Sequence, residues 1–277
     1  MAKVIICADD FAQSAAINAA ILDLVARGVL TAISCMTLSP EWSQSATQLT
    51  AEIRAKVDIG LHLDFTQFSQ TIRLPHPQLV LRSLLRMLDA KAVRANIQQQ
   101  LDAFEQAAGT APDYVDGHLH VHQLPVIRDA LLTELQQRYE HLPASKRPWL
   151  RISRPPPGSG FKARIIHWLG ARTLQTAATQ ADFRVSPCLL GVYDFQGDKA
   201  AYQSHWQRWA RQLHQYAGAQ SSHLPPVLMC HPSQPVSEMG EYDPIASARV
   251  TEWQLMQSPE FIAWLSKASI QPVRGSY

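Results

Sequence analysis

The chain has 277 residues, of which 46% are hydrophobic and 17% charged, and its formal net charge is +2. This composition excludes a disordered protein, and the length permits a substantial core, so we expect one domain over residues 1–277. The small net charge and the lack of a dense Lys/Arg run argue against nucleic acid as the main partner.

The four cysteines are far apart in the sequence and form no CxxC pair: Cys7, Cys35, Cys188 and Cys230. Three of them lie in apolar, strand-like runs, which predicts buried free thiols and a reducing compartment. No run reaches the roughly 18 apolar residues of a membrane span. The N-terminal run MAKVIICADD meets two acids after only a few apolar residues, unlike a signal peptide. We therefore expect a cytoplasmic protein with no membrane span.

Short β-rich runs alternate with longer helical stretches along the chain. Strands are predicted over residues 4–9, 31–38, 57–64, 113–117, 148–153 and 225–232. Helices are predicted over residues 13–28, 40–54, 78–108 in two pieces and 125–139, and in most of 161–181, 199–217 and 246–268.

This alternation predicts βα units around a mainly parallel sheet, and the nearly continuous apolar runs are typical of strands buried on both faces. With at least six units, a distorted or incomplete (β/α) TIM-like barrel is favoured over an open sheet. The segment ADDFAQS after the first strand contains no GxGxxG loop, which argues against a dinucleotide-binding fold.

Polar side chains cluster at the ends of five predicted strands: Asp9 and Asp10, His62 and Asp64, Asp116 and His118, Arg151 and Arg154, and His231. The carboxyl ends of parallel barrel strands share one face, where active sites are built. Each residue also has an ordinary alternative. Either aspartate of the adjacent pair is also explained as the cap of the following helix. A lone histidine in an apolar strand is often a core residue whose ring nitrogens are hydrogen-bonded.

The segment DGHLHVHQLP places His118, His120 and His122 at alternate positions. In an extended segment all three rings would point the same way. Gly117 and Pro125, however, favour an end of the strand at the first histidine. We therefore expect His118 at the strand end and the other two along the following loop.

One aspartate and two histidines from different strands form a common site for Zn²⁺, Mn²⁺, Co²⁺ or a related ion, with positions left open for water and substrate. Such an ion lowers the pKa of bound water and polarises a carbonyl group, which suits hydrolysis. A neighbouring carboxylate would take the proton of the water, and a histidine opposite would protonate the leaving group.

Four motifs in this order resemble the YdjC-like carbohydrate deacetylases, a family that includes chitooligosaccharide deacetylase: ADDFAQS, GLHLDFT, YVDGHLHVHQLP and VLMCHP. The resemblance extends from residue 4 to about residue 275 and includes LGVYDF and the tail that begins EYDPIASARV. It implies a distorted (β/α) barrel that uses one divalent cation, Mg²⁺ or Zn²⁺ with Mn²⁺ or Co²⁺ as alternatives. It also implies removal of acetyl groups from N-acetylated amino sugars, on an oligosaccharide or a glycolipid.

The resemblance implies metal ligands at Asp10, His62 and His118, with Asp9 as the base. His231 would be the acid or the partner of the oxyanion.

Four further residues are assigned to the substrate or to support of the site. Arg151 would orient Asp9 or bind substrate, and His120 and His122 would be supporting or substrate-facing groups. Tyr193, in the LGVYDF segment, is a candidate for lining the pocket.

Two positions depart from the family pattern. Ala12 stands where the family usually has glycine, which is harmless unless the position needs a positive φ angle. Gly117 stands where many members have serine, so a hydroxyl beside the metal is absent.

Two other functions remain open at this stage. A phosphoesterase on a similar barrel would need two metals and more ligands, for which His120 and His122 are available. A non-catalytic sugar-binding protein would keep the fold without the reaction. A homodimer is also open, because residues 86–106 are either a dimer face or two amphipathic helices.

Overall fold

A computed structural model describes residues 1–217, 224–236 and 243–276. Glu241 and Tyr242, at the start of the predicted tail motif, lie outside the described residues. Within the described ranges the strands are β1 (Ala2–Phe11), β2 (Ala32–Cys35), β3 (Asp58–Leu63), β4 (Tyr114–Gly117), β5 (Trp149–Leu150), β6 (Leu189–Leu190), β7 (Val227–Cys230) and β8 (Ile270–Pro272).

The helices surround these strands. They are α1 (Ala15–Ala26), α2 (Trp42–Ala46), α3 (Ala51–Lys56), α4 (His76–Leu84), α5 (Ala90–Ala108), α6 (Ile127–Tyr139), α7 (Phe161–Ile166), α8 (Arg172–Gln180), α9 (Lys199–Ala217), α10 (Ala246–Met256) and α11 (Pro259–Lys267). A 3₁₀ turn, His118–Gln123, follows β4, and a π turn, His167–Ala171, joins α7 to α8.

The strands form a parallel sheet in the order β5-β4-β3-β2-β1-β7-β6, with β8 paired to the start of β1. The two ends of this sheet meet irregularly. Residues 184–189 exchange backbone hydrogen bonds with the chain around β5, since Leu150 donates to Arg184 and Leu189 donates to Arg154. The predicted distorted (β/α) barrel is confirmed.

Strand β1 shows how the sequence fills this barrel. Alternate residues of a strand point to opposite faces. Ile5 and Cys7 pack inside the barrel with Tyr114 and Trp149, whereas Val4 and its alternating neighbours belong to the larger cluster beneath the helices. Asp9 follows Ile5 and Cys7 at alternate positions and therefore also points into the barrel. The strand thus places a carboxylate inside the barrel, at the carboxyl end of its strands.

Several predicted elements differ in extent from the structure. The predicted helix over 40–54 is two short helices, because Thr50 caps the second one through its side chain. The predicted strand over 148–153 ends early, since the amide of Ile152 donates to the Ser186 side chain rather than to a neighbouring strand. The short strands β6 and β8 were not predicted. The prediction of buried free thiols is confirmed for all four cysteines.

Residues 86–106 contribute mainly to α5, which packs against α6. Its apolar face is buried, and its polar face forms ion pairs such as Arg94 with Glu134 and Arg138 with Glu105. This packing supports the amphipathic interpretation, although the segment contributes to one helix rather than the two that were predicted. Within the described residues, no helix is long and apolar enough to cross a membrane.

Candidate active site

Three donor groups predicted from separate strand ends lie together at the carboxyl end of the barrel. Asp10 comes from β1, His62 from β3 and His118 from the residue after β4. Their ligand atoms all lie within 4.8 Å of one another, and the Asp10 and His62 side chains are buried.

The backbone at Asp10 explains how two adjacent aspartates reach different partners. The pairing of β1 with β2 shifts register between Ala8 and Phe11, and Asp10 has a φ of 70°. In a regular strand Asp9 and Asp10 would point to opposite faces. The bulge changes the direction of the Asp10 side chain, while Asp9 keeps its inward direction.

Asp10 directs its two carboxylate oxygens at different groups. Its Oδ1 lies 3.1 Å from Nδ1 of His118 and 3.4 Å from Nε2 of His62, while its Oδ2 accepts from Arg249 at 2.7 Å. Burial alone would raise the pKa of Asp10, but Arg249 and the two histidines outweigh burial and hold it well below its usual range. The carboxylate is therefore ionised, with Oδ1 facing both imidazoles.

These donors fit a single divalent ion. Two ligand atoms about 2.1 Å from one ion, at angles of about 90–110°, are separated by roughly 3.0–3.4 Å. The distances from Asp10 Oδ1 to the two histidine nitrogens, 3.1 and 3.4 Å, match this spacing. One carboxylate and two imidazoles also leave coordination positions open, as in catalytic rather than structural sites.

His62 is oriented by a second carboxylate. Its Nδ1 donates to Oδ1 of Asp116 at 2.7 Å, which turns Nε2 toward Asp10. Burial alone would lower the pKa of His62, but the carboxylates of Asp116, Asp9 and Asp10 raise it to about 10. The carboxylates that stabilise the proton on His62 also attract a metal cation. Histidines that bind metals usually donate their other ring N–H to a carboxylate, as His62 does to Asp116.

Asp9 is held by the buried guanidinium of Arg151. Nη1 and Nη2 of Arg151 lie 2.6 and 2.9 Å from the two oxygens of Asp9, and Nη1 also lies 2.8 Å from Asp116. Burial alone would raise the pKa of Asp9, but Arg151 and His62 outweigh burial and lower it far below its usual range. The two hydrogen bonds from Arg151 fix the orientation of the Asp9 carboxylate.

His231 faces Asp9 from the end of β7. Its Nε2 lies 3.8 Å from Oδ2 of Asp9, and its backbone amide donates to Glu252 at 2.5 Å. Burial lowers the pKa of His231 to about 4, although Asp9 and Asp10 oppose this shift, so the imidazole is neutral near pH 7. Tyr193 is buried behind this pair and donates its hydroxyl to Glu252 at 2.7 Å.

The 3₁₀ turn separates the three histidines of the HLHVH segment. His118 faces Asp10, His120 contacts the Ser153 hydroxyl at 3.1 Å, and His122 donates from Nε2 to the Arg151 carbonyl at 2.8 Å. Leu119 and His120 have φ angles of 50° and 61°, which interrupt the alternation of an extended strand.

The two departures from the family pattern have structural consequences. Ala12 has a φ of 74°, so the position does adopt the left-handed region, which is the condition under which alanine is not harmless there. An L-residue in this region costs about 1–2 kcal/mol. Gly117 is extended, and a β-carbon there would lie 3.0 Å from the backbone and ring nitrogens of His122.

Two polar residues of the site come from the middle of a helix and were not anticipated. Arg249 and Glu252 lie on α10, far from any strand end, yet they contact Asp10 and His231. The other residues were predicted because polar side chains stand at the ends of predicted strands. That pattern gives no indication of Arg249 or Glu252, which lie within a helix. Asp116 did lie near the end of a predicted strand, but its contacts with both His62 and Arg151 depend on the packing of three strands.

Fold and site together define a (β/α)-barrel protein with a candidate single-ion centre at its strand ends. A model of the YdjC-like protein family matches residues 3–267. The chain belongs to this family, which confirms the resemblance of its four motifs.

Several proteins similar in sequence are named deacetylases, and one solved structure shares the fold. The mouse protein named carbohydrate deacetylase is 23% identical over 97% of this chain and 92% of its own length. A carbohydrate deacetylase of Halalkalibacterium halodurans is 29% identical over 50% of this chain and 61% of its own. The chitooligosaccharide deacetylase of Yersinia pestis is 28% identical over 44% and 51%. A crystal structure from Enterococcus faecalis V583, of a protein named for cleavage of cellobiose phosphate, has a TM-score of 0.68 at 20% identity, covering 98% of this chain and 97% of that one. This last likeness shows the fold.

Proposed function

We propose that this protein is a divalent-metal-dependent deacetylase that hydrolyses the acetamide of an N-acetylated amino sugar, on an N-acetylglucosamine-type oligosaccharide or glycolipid. The observation that carries the proposal is the convergence of Asp10, His62 and His118, with Asp9 and His231 beside them. The names of the relatives supply the substrate class.

Asp10, His62 and His118 would hold the ion, and their donor set suits Zn²⁺, Mn²⁺ or Co²⁺, with Mg²⁺ a further candidate. When bound, the ion would supply Lewis acidity and make water acidic enough to lose a proton near neutral pH. Arg249 leaves only one oxygen of Asp10 free for it, which favours a single bond from this carboxylate.

Asp9 would accept the proton of the attacking water. Its carboxylate is ionised at neutral pH because Arg151 binds both oxygens, and its Oδ2 faces His62 and His231. Arg151 acts here as a positioning residue, fixed in turn by Asp116.

His231 would donate a hydrogen bond to the oxygen that gains charge during attack, or to the departing amine. At neutral pH its imidazole is uncharged and carries a single N–H, which suits a hydrogen bond to developing negative charge rather than the release of a proton. Glu252 would fix His231 through its backbone, with Tyr193 supporting Glu252 rather than contacting the sugar. His122 would support Arg151, and the half-buried His120 would face the substrate.

A two-metal phosphoesterase is less well supported. In the described part of the chain, a second group of possible ligands contains Cys7, Asp9 and Asp116. Arg151 already neutralises both carboxylates of that group. Neither His120 nor His122 joins the first group.

The test is acetate release from N-acetylglucosamine oligomers by metal-depleted protein resupplied with Zn²⁺, Mg²⁺, Mn²⁺ or Co²⁺. We expect Asp10→Ala and His118→Ala to lose at least about 100-fold in kcat/KM, because each removes a ligand. His141→Ala, at an exposed histidine outside the site, is the matched control and should keep full activity. Equal activity of all three variants would refute the assignment of the site.

A further inference from the structure

Helix α7 and the turn after it present an apolar stripe to solvent. Phe161 is 70% exposed, Ile165 is 40% exposed and Trp168 is 66% exposed. Their spacing of four and three residues places them on one helical face. Large apolar side chains at this spacing normally pack into a core, so an exposed stripe indicates a surface that is covered in use.

A second apolar patch lies on α4 and just after it. Leu81, Leu84, Leu85 and Met87 are between 50% and 67% exposed. Leu119, in the turn that follows the ligand candidate His118, is 47% exposed. Ten large apolar side chains are exposed within the described ranges, and these two patches with Leu119 account for eight of them.

Both patches are attached to the same turn of the site. The Gln123 side chain donates to the carbonyl of Ile166 at 2.6 Å, which fixes α7 against the His118–Gln123 turn. On the other side, the hydroxyl of Ser83 in α4 donates to the carbonyl of Pro125. The two patches therefore flank the turn that begins with His118. Together with Leu119 we call them the docking face.

Although the net charge of the whole chain is small, the segments that form this face contain basic residues and no acidic ones. Residues 65–88 and 152–181, which carry the two patches, contain seven of the 25 Lys and Arg residues and none of the 23 Asp and Glu residues. Arg82, Arg164 and Arg172 are exposed there, and the guanidinium of Arg164 lies 5.7 Å from the ring centre of Trp168. Arginine beside exposed apolar and aromatic side chains is the pattern of a helix that lies in a membrane interface.

We propose that the docking face binds the surface of an anionic phospholipid bilayer, with the opening of the barrel turned toward the lipid headgroups. Apolar side chains of α7 would enter the boundary between headgroups and acyl chains, while the arginines would contact lipid phosphates. A second copy of the chain would bring two basic surfaces together. Nucleic acid would account for the arginines but not for the exposed leucines. The binding is independent of the proposed reaction, so each is tested separately.

The test is sedimentation of the protein with vesicles of phosphatidylcholine alone and of phosphatidylcholine with 30% phosphatidylglycerol, a composition chosen as about a third anionic. We expect binding to the anionic vesicles that weakens about tenfold or more when the salt concentration is raised. Phe161→Ser with Trp168→Ser, and separately Arg164→Gln with Arg172→Gln, should each weaken binding by about tenfold.

The matched control is Lys56→Gln with Lys267→Gln, which removes two charges at the opposite end of the barrel and should bind as the wild type does. All variants should keep the melting temperature, because the altered side chains are exposed. Absence of vesicle binding, or equal binding by all variants, would overturn the proposal. A second result would also overturn the proposal. In it, the wild type forms dimers or binds a DNA duplex, the docking-face variants do neither, and no vesicle binding is seen.

Discussion

Replacing Arg151 by methionine tests the reasoning about the buried charges. The guanidinium is fully buried and contacts both oxygens of Asp9 and one oxygen of Asp116. Methionine has a similar length and no charge. The variant therefore leaves two buried carboxylates close together without the cation that compensates them.

The expected cost at pH 8 is about 3–5 kcal/mol in the free energy of unfolding, because removing one partner of a buried ion pair leaves a buried charge uncompensated. The cost should depend on pH. In the wild type the pKa of Asp9 is lowered, so its contribution to stability is present above its unfolded value and is lost in acid. In the variant, burial acts on Asp9 without the guanidinium and raises its pKa. Protonation then relieves the buried charge, and the deficit should shrink as pH falls from 8 toward 5.

Urea unfolding of wild type and Arg151→Met at pH 8 and pH 5, both without metal, measures this deficit. Arg27→Met is the control, since its ion pair with Asp23 is solvent-exposed and worth at most about 1 kcal/mol. A deficit below about 1 kcal/mol at pH 8, or one that is unchanged at pH 5, would refute the reasoning.

Three further predictions follow from single contacts. Ala12→Gly should raise the free energy of unfolding by about 0.5 kcal/mol in urea titrations, because relief of a strain of about 1–2 kcal/mol at the φ of 74° is partly offset by the backbone freedom of about 0.5–1 kcal/mol that glycine loses on folding; a destabilised variant would contradict this. Gly60→Ala should cost at least about 2 kcal/mol, since a β-carbon there would overlap the ring of Tyr114 inside the barrel, and unchanged stability would show that the ring moves aside. Binding of Zn²⁺ at pH 8 should release at least one proton, because the pKa of His62 is raised to about 10 and the ion must displace that proton. Calorimetry in two buffers of different ionisation enthalpy measures this release, and identical heats in both would contradict it.

Local sequence patterns were sufficient for most of the barrel and for the centre of the site. Apolar runs of strand length, each followed by acids or histidines, indicated that Asp9, Asp10, His62 and His118 share one face, because a parallel barrel brings all strand ends together. The choice of Asp10 rather than Asp9 as a ligand came from the family resemblance. Gly117 and Pro125 also separated His118 from the two histidines after it, as the 3₁₀ turn shows.

Contacts between distant segments were decided by the tertiary structure. Arg249 reaches Asp10 across 239 positions of the sequence, from the middle of helix α10, where no local pattern marks it as part of a site. The positive φ of Ala12 follows from the bulge in β1, which no local preference for alanine could indicate. The sequence by itself thus determined which side chains stand at the strand ends. Packing alone decided which charges meet there, because a buried ion pair depends on distances between segments that periodicity does not encode.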